Sequence, residues 1–185
     1  MRHEVLLKEG TSALRYYPNA FAALKTSSIM DSISWKQNDI TIFGKTLPEP
    51  RLTAWFGPAY GYSSIQWPQA AFPPNLFALK ENVEDIAQSK FNGCLVNLYR
   101  NGNDSMGWHR DNEKEIDQTC IASLTLGEAR DFKVRHRTTK EVLTIKLEHG
   151  SLLIMENLQE DYEHSLPKRK GVLLPRINMT FRQLY

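Results

Sequence analysis

Residues 119–157 read TCIASLTLGEARDFKVRHRTTKEVLTIKLEHGSLLIMEN, and this stretch decides the fold. Four short runs rich in β-branched and apolar residues, TCIASLTLG, RDFKVRHR, EVLTIKLE and GSLLIMEN, follow one another with only turns between them. Working outward, GCLVNLYR (93–100) precedes them and RINMTFRQL (176–184) follows. Strand-like runs in unbroken succession indicate an antiparallel sandwich or barrel and exclude the strand–helix alternation of a Rossmann-type sheet.

Upstream of Phe91 the pattern is different. YYPNAFAALKTSSIM (16–30) has Pro18 near a helix start with Phe21, Leu24 and Ile29 beyond it, which predicts a short helix on the core. Residues 39–74 are punctuated by Gly44, Gly57, Gly61 and several prolines and should form hairpins and loops. PNLFALKENVEDIAQSK (74–90) is the better helix, because Leu76, Leu79, Val83 and Ile86 repeat on one face. The expected architecture is α+β: a double-stranded β-helix, or jelly roll, of antiparallel strands buttressed by N-terminal helices. One domain over 1–185 is expected, with helices, hairpin and a lid over about 1–90 and the jelly-roll core over about 91–185.

Composition narrows the class. With 185 residues and 41% hydrophobic content the chain can bury a sizeable core, and no apolar run approaches the roughly 20 residues that cross a bilayer. A soluble intracellular protein is expected, cytoplasmic if bacterial and nuclear if eukaryotic. Cys94 and Cys120 stand apart and read as reduced thiols, not as a disulfide framework. The net charge of +2 is uninformative, but strand period puts Lys133, Arg135 and Arg137 on one face of RDFKVRHR, and Lys168, Arg169 and Lys170 cluster near the C-terminus. Such stripes are more often a solvated strand face and a polar turn, unless other features point to a polyanion.

The last strand carries the most chemistry. Period two sends Ile177, Met179 and Phe181 to one face and Arg176, Asn178, Thr180 and Arg182 to the other. Two guanidiniums flanking Asn and Thr suit a small dicarboxylate, because Arg binds carboxylates bidentately and stays charged. In CLVNLYR, Asn97 and Tyr99 share a face and can donate to the same ligand. His109 and Asp111, in WHRDNE, supply two metal ligands, and a third must come from His136, His149 or His164. His149 precedes a turn glycine and His136 lies on an apolar strand face, so His164 is the choice. Two imidazoles and one carboxylate form the facial triad that binds Fe(II) and leaves positions open for a chelating cosubstrate and O2.

With NLYRNGNDSMGWHRDNE, IASLTLGEARDFKVRH, HGSLLIMEN, YEHSLPKRK and PRINMTFR in place, the chain resembles the AlkB family of iron(II) and 2-oxoglutarate-dependent dioxygenases, and most its DNA-repair branch. The match runs from about Phe43 to the C-terminus. It implies that His109, Asp111 and His164 bind iron and form the catalytic centre. It implies further that Asn97, Tyr99, Arg176, Asn178, Thr180 and Arg182 hold 2-oxoglutarate, with Arg176 on the distal carboxylate. The implied activity is oxidative demethylation of N-alkylated bases in DNA of the 1-methyladenine and 3-methylcytosine type, releasing formaldehyde as 2-oxoglutarate becomes succinate and CO2.

The same resemblance assigns substrate contacts. TIFGKT looks like a hairpin that enters the duplex, with Phe43 as wedge or, equally, as a hairpin core residue. WFGPAYGYSS looks like the lid, with Tyr60, Tyr62 and Ser63 lining the base pocket. Glu113 is placed at the exocyclic edge of the base, beside Asn112, where the family often has an acid. Arg110 and the Lys133, Arg135, Arg137 stripe are candidates for phosphate contacts. The partner implied is alkylated DNA bound by a monomer, without membrane association. The alternatives are an oxygenase of RNA or protein, and a non-catalytic nucleic-acid-binding protein, for which iron and 2-oxoglutarate would be dispensable.

Overall fold

The computed structural model describes residues 2–42, 44–62 and 65–185. Its first elements are β1 (Glu4–Glu9), β2 (Ser12–Tyr17), α1 (Thr26–Met30), β3 (Asp39–Ile42), β4 (Lys45–Pro48), β5 (Leu52–Phe56), β6 (Tyr60–Tyr62), β7 (Ile65–Trp67) and α2 (Pro74–Ala87). There follow β8 (Gly93–Tyr99), β9 (Met106–His109), β10 (Ile116–Gly127), β11 (Arg130–His136), β12 (Val142–Leu147), β13 (Leu152–Glu156), β14 (Tyr162–Leu166) and β15 (Arg176–Leu184). A seven-stranded sheet in the order β1-β2-β13-β10-β15-β8-β5 faces a four-stranded sheet in the order β12-β11-β14-β9, and β3-β4 and β6-β7 are separate hairpins. The sandwich is the antiparallel jelly roll expected from residues 119–157. Among the described residues no helix is long and apolar enough to cross a membrane.

The core lies in two layers. Between the sheets, Leu95, Leu153 and Met155 of the larger meet Phe132, Val134, Ile145 and Leu166 of the smaller. Beneath the larger sheet, Leu76, Leu79, Val83 and Ala87 of α2 cover Val96, Leu124, Ile177, Met179 and Phe181. Each of these large apolar side chains contributes roughly 1.5–3 kcal/mol by leaving water. Pro74 opens α2 at a position where a missing N–H costs nothing, and Gln88 closes it in the left-handed conformation at φ 56°. Glu84, buried on this helix, takes Lys80 at 2.6 Å, Lys90 at 2.9 Å and the Phe91 N–H at 2.9 Å, tying the helix end to the start of β8.

Two covered faces explain a feature of β8 and β15. Every residue of β8 is buried, and so are all of β15 but Gln183, although their chemistry alternates. Cys94, Val96, Leu98, Ile177, Met179 and Phe181 go to the α2 side, and the polar alternates, with Leu95 and Leu184, go to the space between the sheets.

Two expectations need correction. The helix expected over 16–30 is a strand, then turns, then only the five residues of α1, because SALRYY already has strand period: Ser12, Leu14 and Tyr16 are buried, and β2 pairs with β13. The turns are pinned where Phe21 N–H donates to Gly150 O at 2.8 Å. Gly150 has φ +72°, and a Cβ there would lie 2.5 Å from the Ala22 nitrogen, so both conformation and space require glycine. Nor does the jelly-roll core begin at residue 91: β1, β2 and β5 complete the larger sheet, since edge strands far away in sequence supply the hydrogen bonds that β13 and β8 would otherwise lack.

Candidate active site

A cavity between the sheets is lined by Asn97, Tyr99, Arg176, Asn178, Thr180 and Arg182, the polar alternates of β8 and β15. Register brings them together: Arg176 stands opposite Tyr99 and Asn178 opposite Asn97, and directly opposed residues project to the same face. These side chains do different things. Asn178 spends its amide on Ser123 Oγ (2.8 Å) and the Leu124 carbonyl (3.2 Å), and its Oδ1 accepts from Thr180 Oγ1 (3.2 Å), so it braces the wall. Asn97 Oδ1 accepts from Arg51 Nε at 2.8 Å, which turns its NH2 toward the cavity.

Arg176 is the informative one. It is 2% exposed, lies over the Tyr99 ring and donates to Thr125 Oγ1 at 2.8 Å, and among the described residues no carboxylate pairs with it. Its Nε is buried without a partner. Burial pushes its pKa down to about 10, which still leaves a cation at neutral pH. A buried cation without a counter-charge costs several kcal/mol unless an anion joins it, so this end of the cavity is built for a carboxylate or a similar group.

At the other end stand His109, Asp111 and His164. Pairing of β9 with β14 sets His109 opposite His164, with ring centroids 4.2 Å apart, and Asp111 follows two residues after β9 ends. Their ligand atoms all lie within 4.8 Å of one another, close enough for one metal ion to sit among them. Gly107 O lies 2.8 Å from His109 Nδ1, which fixes the tautomer that leaves Nε2 as a donor to a metal. Burial, with the neighbouring imidazole, pushes His164 down to about 3, and burial lowers His109 as well. Burial would raise Asp111, but the Arg182 guanidinium, and then the two imidazoles, hold its carboxyl below the usual range. Neutral imidazoles and an ionised carboxylate are the protonation states that divalent metal ligands require. The residues present therefore fit iron. The donor set is that of the facial triad.

Arg182 links this centre to the lid. Its Nη2 donates to Asp111 Oδ1 at 2.8 Å and its Nη1 lies 3.3 Å from the Tyr60 hydroxyl, which in turn bonds the Glu113 carboxylate. Tyr60 is buried and stacked on Trp55 at 4.8 Å, so it is anchored in the core and presents its hydroxyl. Burial raises the pKa of Glu113. Asn112 beside it is exposed. Arg110 donates to the Gln159 carbonyl at 3.2 Å; Lys133 and Arg135 share the outer side of β11, with Arg135 paired to Glu163, while Arg137 lies in the turn just beyond the strand and donates to the Glu160 carbonyl. Phe43, Ser63 and the side chain of Tyr62 lie outside the described residues. The other two candidate histidines have structural partners: His149 accepts from the Gly127 N–H, and His136 accepts from the Thr138 and Thr139 N–H groups.

Three features escape a reading of the sequence. Gln159 is fully buried behind the triad, its Oε1 accepting the Asp111 N–H at 2.9 Å; nothing in the turn NLQED signals this. Arg51, which orients Asn97, is itself held by the buried Glu49 at 2.7 Å, and Glu49 also accepts from Thr53 and Asn38. Beside the cavity a second groove runs between the β3-β4 hairpin and the edge of β9, lined by Ile40, Leu47, Arg51, Met106, Trp108 and His109. A PR pair after a hairpin pattern is the nearest sequence hint of it.

Comparison with known proteins agrees with this geometry. The family model of the 2OG-Fe(II) oxygenase superfamily matches residues 14–182. The chain is 37% identical over 194 residues to the alpha-ketoglutarate-dependent dioxygenase alkB homolog 3 of Mus musculus, covering 95% of this chain and 68% of that protein. It is 39% identical over 158 residues to the DNA oxidative demethylase ALKBH2 of Mus musculus, covering 78% of this chain and 66% of that protein. The solved structure of OsALKBH1 superposes with a TM-score of 0.68 over 96% of this chain and 99% of that one, at 14% identity, and so shares the fold. The chain thus belongs to the AlkB family of the 2OG-Fe(II) oxygenase superfamily and is an Fe(II)/2-oxoglutarate-dependent dioxygenase.

Proposed function

We propose that the enzyme repairs DNA by oxidising N-methyl groups on nucleobases of the 1-methyladenine and 3-methylcytosine type, the hydroxylated methyl leaving as formaldehyde while 2-oxoglutarate becomes succinate and CO2. The observation that carries the cosubstrate is Arg176, a buried cation with which no carboxylate among the described residues pairs, at the far end of a cavity from a two-His, one-Asp cluster. His109, Asp111 and His164 hold the iron, which supplies the oxidation of the methyl carbon when 2-oxoglutarate and O2 are bound. Arg176 pairs with the distal carboxylate of 2-oxoglutarate, Asn97 and Tyr99 donate to it, and Thr180 and Arg182 orient its other end. Asn178 acts by bracing Ser123 and Thr180.

Arg182 has a double task in this reading, since it also fixes Asp111 and, through Tyr60, the lid and Glu113. Tyr60 and Glu113 border the pocket that takes the flipped base, with Asn112 at its rim, and the sequence resemblance assigns Tyr62 and Ser63 to the same pocket. Phe43, which the sequence resemblance assigns as the wedge, would enter the base stack. Arg110 and the basic side of β11 attract the phosphate backbone. The names of the murine relatives, one of them a DNA oxidative demethylase, support the substrate class.

The test is incubation of the purified protein with iron(II), ascorbate, 2-oxoglutarate and a DNA oligonucleotide carrying 1-methyladenine, with a matched RNA in parallel, following the methyl mass. Demethylation of the DNA that requires 2-oxoglutarate is the expected result. Succinate formed without repair of the DNA would overturn the substrate assignment, and preference for the RNA would move it there.

A further inference from the structure

β9 carries two aromatic rings on opposite sides. Alternation turns His109 into the cavity and Trp108 to the outer side, where its indole is 37% exposed on the wall of the groove against the β3-β4 hairpin. An exposed tryptophan adds little to the core, yet this one is held in place. The Arg135 guanidinium lies over its ring, 4.1 Å from the centroid, and Arg135 is fixed by Glu163 through contacts of 2.6 and 2.8 Å. Register sets this row: Arg135 is opposite Glu163 on β14, and the next residue of β14, His164, is opposite His109. The indole is thus immobilised on one side by a fixed cation. Across the groove stands Leu47, 49% exposed, with its cross-strand partner Ile40.

A largely apolar slot with one aromatic wall, Arg51 in its lining, Arg135 fixed against the Trp108 ring and an opening beside a candidate metal-ligand histidine fits one kind of occupant: a flat ring attached to an anionic backbone. We propose that Trp108 is a stacking platform for the nucleobase next to the one that enters the cavity, seated between Trp108 and Leu47. This subsite rests on the DNA reading above and deepens it. The slot is distinct from the pocket at Tyr60 and Glu113, since it runs along the hairpin side of β9. It makes Trp108 a residue that positions the strand, and it prefers a target with a stacked neighbour. Because every base has a π-face, the preference is tolerant of sequence.

The test is equilibrium binding, without turnover, of protein loaded with Mn(II) and 2-oxoglutarate. Two labelled single-stranded DNAs, each with one 1-methyladenine, are compared: one with normal flanking bases, one with abasic residues on both sides of the lesion. Trp108→Ala should weaken binding to the first by about 5- to 150-fold and leave the second unchanged, while Trp108→Phe keeps most of the affinity. Wild-type protein should bind the abasic strand about as weakly as Trp108→Ala binds the normal one. Equal losses on both strands, or no loss on either, would overturn the platform while leaving the substrate class intact. If wild-type protein binds neither strand, the DNA reading falls, and the platform with it.

Discussion

The two sheets that enclose the cavity are built differently. β15, in the larger sheet, is nine residues long, paired on both sides and covered by α2 on one face and the smaller sheet on the other. β9, in the smaller sheet, is four residues long, pairs only with β14 and has an outer side open to solvent. The larger sheet places the candidate dicarboxylate-binding side chains by rigid packing. The smaller sheet places the candidate iron ligands at an edge, where there is little packing to hold them. Side-chain braces compensate: Arg182 reaches across from the larger sheet to Asp111, and Gln159 holds the Asp111 backbone. An edge is also where a bulky substrate can approach, so the weaker support and the open access have one cause.

The sharpest way to break this comparison is at the edge itself. Asp111→Ala removes one metal ligand and leaves Arg182 without its carboxylate, and it should abolish iron binding and turnover together; iron titration and succinate formation report both. Retained turnover would mean that the triad is misassigned. On the rigid side, Arg176→Met should raise the apparent Kd for 2-oxoglutarate by roughly 30- to 1000-fold, about 2–4 kcal/mol, with iron binding unchanged. A loss of iron affinity as large as that of the cosubstrate would show that the two ends of the cavity are not independent.

Gln159→Leu sharpens the comparison at a brace. It leaves all three ligands in place, yet iron affinity should fall by about 10- to 100-fold, the usual effect of removing a group that orients a ligand. The smallest effect is expected furthest from the site. Glu84→Gln, beneath the larger sheet, should cost about 2 kcal/mol of stability in denaturant titration while leaving activity per folded molecule unchanged.

That last difference depends on pH in a defined direction. Burial alone would raise the Glu84 pKa, but the hydrogen bonds from Lys80, Lys90 and the Phe91 N–H outweigh it and hold it below its ordinary 4.5. A carboxyl lowered in the folded state stabilises fully above the unfolded value and loses that contribution as pH falls through the folded one. The gap between wild type and Glu84→Gln should therefore be constant from neutral pH to about 4.5 and close below it. A gap that persists at lower pH would mean that Glu84 does not act through its charge.

How much could be read in advance differs between the sheets for the same reason. β15 shows period two over nine residues, and its polar alternates were visible as a set. MGWH and YEHSL are too short to show a period, so β9 and β14 are not legible as strands in the sequence, and only the histidines they carry stand out. The strand SALRYY was masked by the helix-like spacing that follows Pro18; its partner in the sheet, β13, is well over 100 residues away.

What the amino-acid order determined by itself is what local periodicity and residue chemistry determine: the antiparallel class, α2, the polar side of β15, and a His-X-Asp pair in search of a third ligand. Tertiary structure decided the rest, because it depends on which distant groups meet. Only the fold shows that no carboxylate among the described residues pairs with Arg176, that Gln159 supports Asp111 from 48 residues away, and that Arg135 lies over Trp108. Whether a buried charge is balanced, or an exposed ring is fixed, is a property of its surroundings, and no window of sequence contains them.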